Sequence, residues 1–214
     1  MADSAERNAI NNENISHKLA ELSDENIRYE QIGNVIYIMA NPSEFHEDIL
    51  MEMTRQLGNY LYNKSCKVYG SNLGLDLKDF IPILKDHHSF QKFFKKKIDE
   101  GKEEQVYLLP DILLLCNIDK TKFSSRGYQK VPTMIIEIFS PSTGGKDFSL
   151  KKDLYEAIGV QEYWIVLDSQ NVSVFLLKNG KYELEDYSTK EDILEIPVSV
   201  FPDLSIRLDK NRFN

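Results

Sequence analysis

Two acidic residues interrupt apolar runs in which a carboxylate is costly to place. Asp111 stands in Leu108-Leu109-Pro110-Asp111-Ile112-Leu113-Leu114, and Glu137 in Ile135-Ile136-Glu137-Ile138-Phe139. A carboxylate in a buried strand costs several kcal/mol unless it is paired, protonated or bound to a cation. Two such acids on neighbouring strands can share one divalent metal through hard oxygen ligands, and that metal can activate a water. The same runs also fit acids at strand ends that are solvated or cap a loop. Asp147, Lys151 and Tyr155 follow at intervals of four and so share one helix face. A lysine beside two metal-bound carboxylates can steady developing negative charge. An exposed Asp–Lys pair, worth a few tenths of a kcal/mol, gives the same spacing.

The other candidates are weaker. His46 lies on a helix beside Glu44 and Glu47, where a lone histidine is more often structural than a ligand. His87-His88 falls in a charged stretch and reads as solvated. Cys66 and Cys116 form no Cys-x-x-Cys pair, which argues against zinc; two cysteines are too few for a disulfide framework, and free thiols in a reducing cytoplasm are expected. Lys92, Lys95, Lys96 and Lys97 interleave with Phe90, Phe93 and Phe94. That mixture suits nucleic-acid contact and equally suits an amphipathic helix with a basic face. The chain has neither a Gly-x-Ser-x-Gly elbow nor a phosphate-binding Gly-x-x-x-x-Gly-Lys-Ser/Thr loop.

These side chains need elements to hold them. Tyr29 to Ile32 and Val35 to Met39 flank Gly33-Asn34 and predict a hairpin. Ser43 predicts an N-cap for a helix of about five turns, with Phe45, Ile49, Leu50, Met53, Leu57, Tyr60 and Leu61 on its apolar face. Short strands are expected at Cys66 to Tyr69 and Leu73 to Leu77, then at Val106 to Cys116 and Met134 to Phe139. Asp147 predicts the N-cap of a helix that Gly159 ends. Trp164 marks a core strand over Glu162 to Leu167. Asn179-Gly180 predicts a hairpin between Val172 to Leu177 and Tyr182 to Tyr187. The tail from Ile193 to Leu208 reads as an edge strand or packed loop. Helices and mixed strands together predict an α/β domain with a mixed sheet.

The chain of 214 residues predicts one domain over 27–214, after a polar leader at 1–26 with a short helix near Ile15 to Leu22. A charged surface insertion is expected at about 78–105. No apolar run has the roughly 18 residues of a membrane helix, and no secretory signal is visible. The net charge is −8. Both ends of the chain are acidic and the middle is slightly basic, which argues against a general nucleic-acid coat protein but leaves room for a local anion-binding surface.

Pro110-Asp111, with Glu137-Ile138-Phe139 about 25 residues later, resembles the PD-(D/E)XK nuclease superfamily. Arg28-Tyr29-Glu30-Gln31-Ile32-Gly33-Asn34-Val35-Ile36-Tyr37 looks like the opening hairpin of the Uma2 family of restriction-endonuclease-like proteins. Ser43 to His46, Leu109 to Ile112, Ile136 to Thr143, and the run from Asp147 through Lys151, Tyr155 and Gly159 to Val166 continue that likeness. The resemblance implies a restriction-endonuclease-like α/β fold with a mixed sheet flanked by helices. It implies Mg²⁺- or Mn²⁺-dependent hydrolysis of DNA, with Asp111, Glu137 and Lys151 catalytic and Asp111, Glu137 and the Ile138 carbonyl as metal ligands. It also implies a homodimer. Phe139 stands where the superfamily has its lysine, so Lys151 would enter from the following helix. Glu30 and His46 match recurrent family positions without an assigned role. The small basic excess predicts weak, salt-sensitive DNA binding. A nuclease fold that only binds or regulates is the competing expectation.

Overall fold

A computed structural model describes residues 9–11, 27–33, 35–94, 104–139 and 144–213. The expected helix near 15–22, Lys95 to Lys97 and the loop residues 140–143 lie outside that set. The chain runs through β1 (Ala9–Asn11), β2 (Tyr29–Ile32), β3 (Val35–Ile38), α1 (Glu44–Leu61), β4 (Lys67–Gly70) and β5 (Leu75–Asp76). Next come α2 (Ile81–Asp86), α3 (Gln91–Phe94), β6 (Val106–Leu108), β7 (Ile112–Leu115), β8 (Phe123–Ser124), β9 (Gly127–Tyr128) and β10 (Met134–Ile138). The last elements are α4 (Gly144–Ile158), β11 (Glu162–Asp168), β12 (Asn171–Lys178), β13 (Lys181–Ser188), β14 (Ile193–Pro197) and β15 (Ser205–Asp209).

Local chemistry sets several of these boundaries. Ser43 caps α1 by accepting from the His46 N–H at 3.2 Å. Asn179 and Gly180 take φ of +52° and +78°, the pair of positive angles that a two-residue hairpin turn requires. Helix α4 opens at Gly144, three residues before the expected cap, so Asp147 lies inside it and does not cap it.

The strands form two larger sheets instead of one. The first runs β1-β3-β2-β6-β5-β9-β8, and the second β13-β12-β11-β10-β7-β4. The tail forms its own hairpin, β14-β15. The apolar run from Val106 to Cys116 is therefore two strands in different sheets, with Leu109-Pro110-Asp111 crossing between them. Pro110 has no N–H to give a ladder, which favours a break there.

Alternation along β7 and β10 divides the core. Ile112, Leu114, Met134, Ile136 and Ile138 pack with Ile49, Met53 and Leu57 of α1 and with the tail hairpin. Leu113 and Ile135 face the other way, with Leu154, Tyr155 and Ile158 of α4 and the first sheet. Trp164 is fully buried in the first of these layers.

The 78–94 stretch is not a surface excursion. Leu84 and Phe90 are fully buried and Phe93 nearly so, all in the α4 layer. Gly33 shows how closely it docks: at φ +56°, a Cβ there would stand 2.3 Å from the Phe93 carbonyl oxygen. Phe90 and Phe93 are thus core residues and not nucleic-acid contacts. His87 and His88 stack on each other with centroids 4.6 Å apart. Among the described residues, no helix is long and apolar enough to cross a membrane.

The cysteines also depart from expectation. Cys66 and Cys116 flank the paired Lys67 and Leu115 at one end of β4 and β7, with Cα atoms 4.2 Å apart, and form a disulfide. Strand register brings together thiols that sequence spacing keeps 50 residues apart. In the loop-entropy view, closing a loop of that length contributes roughly 4 kcal/mol. We expect no thiol to react in the unreduced protein, and reduction to lower the unfolding midpoint by on the order of 10 °C. A midpoint unchanged by reductant, or two reactive thiols before it is added, would show that the bond does not form.

Candidate active site

The ladder between β7 and β10 pairs Ile112 with Ile136, so one step further Asp111 and Glu137 stand opposite each other. Alternation puts both on the face of Leu113 and Ile135, towards α4. Asp111 closes the sheet end: its Oδ2 accepts the Ile138 N–H at 2.8 Å. From the N-terminal turn of α1, His46 Nε2 reaches the same oxygen at 3.2 Å. Its Nδ1 is buried without a hydrogen-bond partner, 3.6 Å from a Glu47 oxygen. Burial pushes the His46 pKa down, but the Asp111 hydrogen bond and the nearby carboxylates outweigh it and raise the pKa overall.

Glu137 is held from α4. Lys151 Nζ donates to its Oε1 at 2.9 Å, and the Tyr155 hydroxyl donates to the same oxygen at 2.8 Å. Residues 151 and 155 are one helical turn apart, which lets both reach one carboxylate. Lys151 also binds Glu30 Oε1 at 2.9 Å, and that oxygen accepts the Leu109 N–H at 2.9 Å. Glu30 thus ties β2 both to the crossover before Asp111 and to the helix that carries Lys151. Glu30, Asp111 and Glu137 are all at least nine-tenths buried.

Electrostatics follow from that burial. Burial alone would lower the Lys151 pKa, but the Glu137 and Glu30 carboxylates hold it well above the ordinary lysine value. Burial raises Glu137 from 4.5 to about 7; Lys151 opposes the rise, and Asp111 and Glu30 add to it. Tyr155 is raised as well, by burial and then by Glu137, so it remains a donor.

The structure brings Asp111, Glu137, Lys151 and the Ile138 backbone together. It adds Glu30 and His46, to which the sequence assigned no role, and Tyr155, which its helix spacing had marked. The Asp147 side chain is outside the described residues. Phe139 follows the cluster at the end of β10, where its N–H binds the Val166 carbonyl at 2.7 Å. Among the described residues, no group of three or more His, Cys, Asp and Glu side chains is arranged to hold a metal ion. The donors that fit a hard cation are fewer: two carboxylates and a main-chain carbonyl. The bonds described use Asp111 Oδ2 and Glu137 Oε1, leaving the second oxygen of each carboxylate outside them. In an extended strand, a residue's N–H and C=O point the same way. The Ile138 carbonyl therefore faces the side of Asp111.

A solved structure shares this arrangement of sheets and helices. The crystal structure of a "putative nuclease belonging to DUF820" from Anabaena variabilis superposes with a TM-score of 0.60. The match covers 88% of this chain and 90% of that one at 18% identity, a likeness of fold. The Uma2 family, described as "Putative restriction endonuclease", matches residues 16–209, and the chain belongs to it. No curated protein matches the chain.

Glu137 gives the site a stability signature. In the folded protein its proton is held up to about pH 7, whereas an unfolded glutamate releases it near 4.5. Between those values the folded state binds more protons, so stability falls as pH rises through that window and levels off above it. We expect the urea midpoint of metal-free protein to drop between those pH values, and Glu137→Gln to flatten the drop. An equal slope in both proteins would rule out this source.

Proposed function

We propose that the protein is a metal-dependent endonuclease that hydrolyses DNA phosphodiester bonds. One observation carries the reading: two buried carboxylates, Glu30 and Glu137, share a single buried lysine, Lys151, and a third, Asp111, stands opposite Glu137 with His46 against it. With Glu137 ionised, Lys151 and His46 still leave the three carboxylates in excess, and that remaining negative charge suits a cation. Asp111, Glu137 and the Ile138 carbonyl would hold it, and their hard oxygen chemistry suits Mg²⁺ or Mn²⁺. Such a cation, when bound, supplies Lewis-acid charge at the phosphate and lowers the pKa of water.

The chain's own groups do the rest. Lys151, fixed by Glu30, places a positive charge beside Glu137, where it stabilises charge developing on the phosphate or on the attacking oxygen. Tyr155 fixes the orientation of the Glu137 carboxylate by donating to it. Ile138 N–H and His46 do the same for Asp111. Glu30 is a positioning residue that acts through Lys151. The Lys151 position supports an active site even though Phe139 occupies the superfamily's lysine position.

A second reading is a nuclease fold that binds or regulates without cutting. It is favoured by Phe139 and by the engagement of Lys151 with both of its carboxylate neighbours. Cleavage of supercoiled, linear and single-stranded DNA with Mg²⁺ or Mn²⁺ separates the two. We expect metal-dependent cutting, with Asp111→Asn and Lys151→Ala each lowering the rate at least about a hundred-fold. Absence of cutting, with Mn²⁺ still bound in calorimetry, would favour the silent module. No metal binding by the wild type would remove the metal-enzyme reading.

A further inference from the structure

We infer that Arg28 holds a substrate phosphate beside the acidic cluster, an inference that rests on the nuclease reading above. The Met39 N–H binds the Arg28 carbonyl at 3.0 Å, so the β2-β3 ladder continues through residue 28. Strand alternation then puts Arg28 on the same face as Glu30, the partner of Lys151. Its Nη2 donates to the Ser71 carbonyl at 3.1 Å. Ser71 follows Gly70, which pairs with Ile112, so Ser71 and Asp111 leave β4 and β7 at the same end. The guanidinium is thus anchored at the strand end from which Asp111 projects.

What remains of its chemistry points to an anion. Arg28 Nε is buried and has no hydrogen-bond partner. Among the described residues no carboxylate lies within ion-pair distance of Arg28. A guanidinium has five donors in a planar fork that matches phosphate. Lys151 is held by two carboxylates and is placed for the reacting phosphate, which leaves the charge of the incoming strand to Arg28. A phosphodiester strand entering a cluster of three acids needs positive charge at the edge, and Arg28 supplies it in a fixed orientation.

Arg126 provides a control. It too has a buried nitrogen without a partner, but it stacks on Tyr107 at 4.9 Å. Tyr107 pairs with Gln31, so it projects on the face opposite Glu30.

The test is fluorescence anisotropy of a fluorescein-labelled DNA duplex over a salt series with Ca²⁺, using wild type, Arg28→Ala, Arg28→Lys and Arg126→Ala. We expect Arg28→Ala to weaken binding about ten-fold and to reduce the slope of log affinity against log salt by about one. Arg28→Lys keeps the slope and loses part of the affinity, because a point charge replaces the fork. Arg126→Ala binds as wild type. If Arg28→Ala and Arg28→Lys both bind as wild type does, this inference falls and the nuclease reading stands. If the wild type binds Mn²⁺ but neither this duplex nor its labelled single strand, both fall. Should Arg28→Ala lose its unfolding transition, Arg28→Lys decides alone: binding with an unchanged slope and reduced affinity supports the inference, and wild-type binding overturns it.

Discussion

A single buried ammonium group, Lys151 Nζ, sits 2.9 Å from carboxylates that belong to different sheets. Glu30 comes from the first sheet, Glu137 from the second, and Lys151 from the helix between them. Buried ion pairs contribute little net stability, because desolvation offsets the attraction. Breaking one is another matter: an unpaired buried charge costs about 3–5 kcal/mol. This cluster therefore specifies an arrangement more than it strengthens one. Only the register that brings β2, β10 and α4 together leaves no acid stranded.

Burial of an acid does not by itself mark a reactive site. Glu162 is fully buried, yet it is satisfied by neutral donors: the Trp164 indole at 2.7 Å and the Ser199 and Val200 N–H groups at 3.1 and 2.8 Å. These bonds fasten the turn after β14 to β11. Glu52 is likewise buried and is bound by Arg55, Gln56 and Arg212, which ties the end of the chain to α1. In both cases donors on the protein complete the acid. In the candidate site, three acids converge on one lysine and one histidine, and negative charge is left over.

The crossover at Leu109-Pro110-Asp111 explains why the site lies where it does. A strand that left one sheet without entering another would strand its backbone groups. Here Glu30 receives the Leu109 N–H, and Asp111 covers the Ile138 N–H beyond the last ladder pair. The acids that close the two sheets are the acids that gather at the site. Structural and chemical roles therefore rest on the same side chains.

Much of the local structure was legible in the residues. The Ser43 cap, the long apolar face of α1 and the turn at Asn179-Gly180 depend on neighbours within a few positions. Asp111 and Glu137 stood out because a carboxylate in an apolar run needs an explanation, and Lys151 with Tyr155 because four residues make one helical turn. The family likeness added Glu30 and His46 as positions without roles. Tertiary structure decided the rest: that Val106 to Cys116 divides between two sheets, that Phe90 and Phe93 are core, that Cys66 meets Cys116, and that Glu30 shares Lys151 with Glu137. Periodicity reports which face of an element is apolar, but not which distant element covers it. The pairing of residues far apart in the chain is settled only when whole faces pack and every buried charge finds a partner.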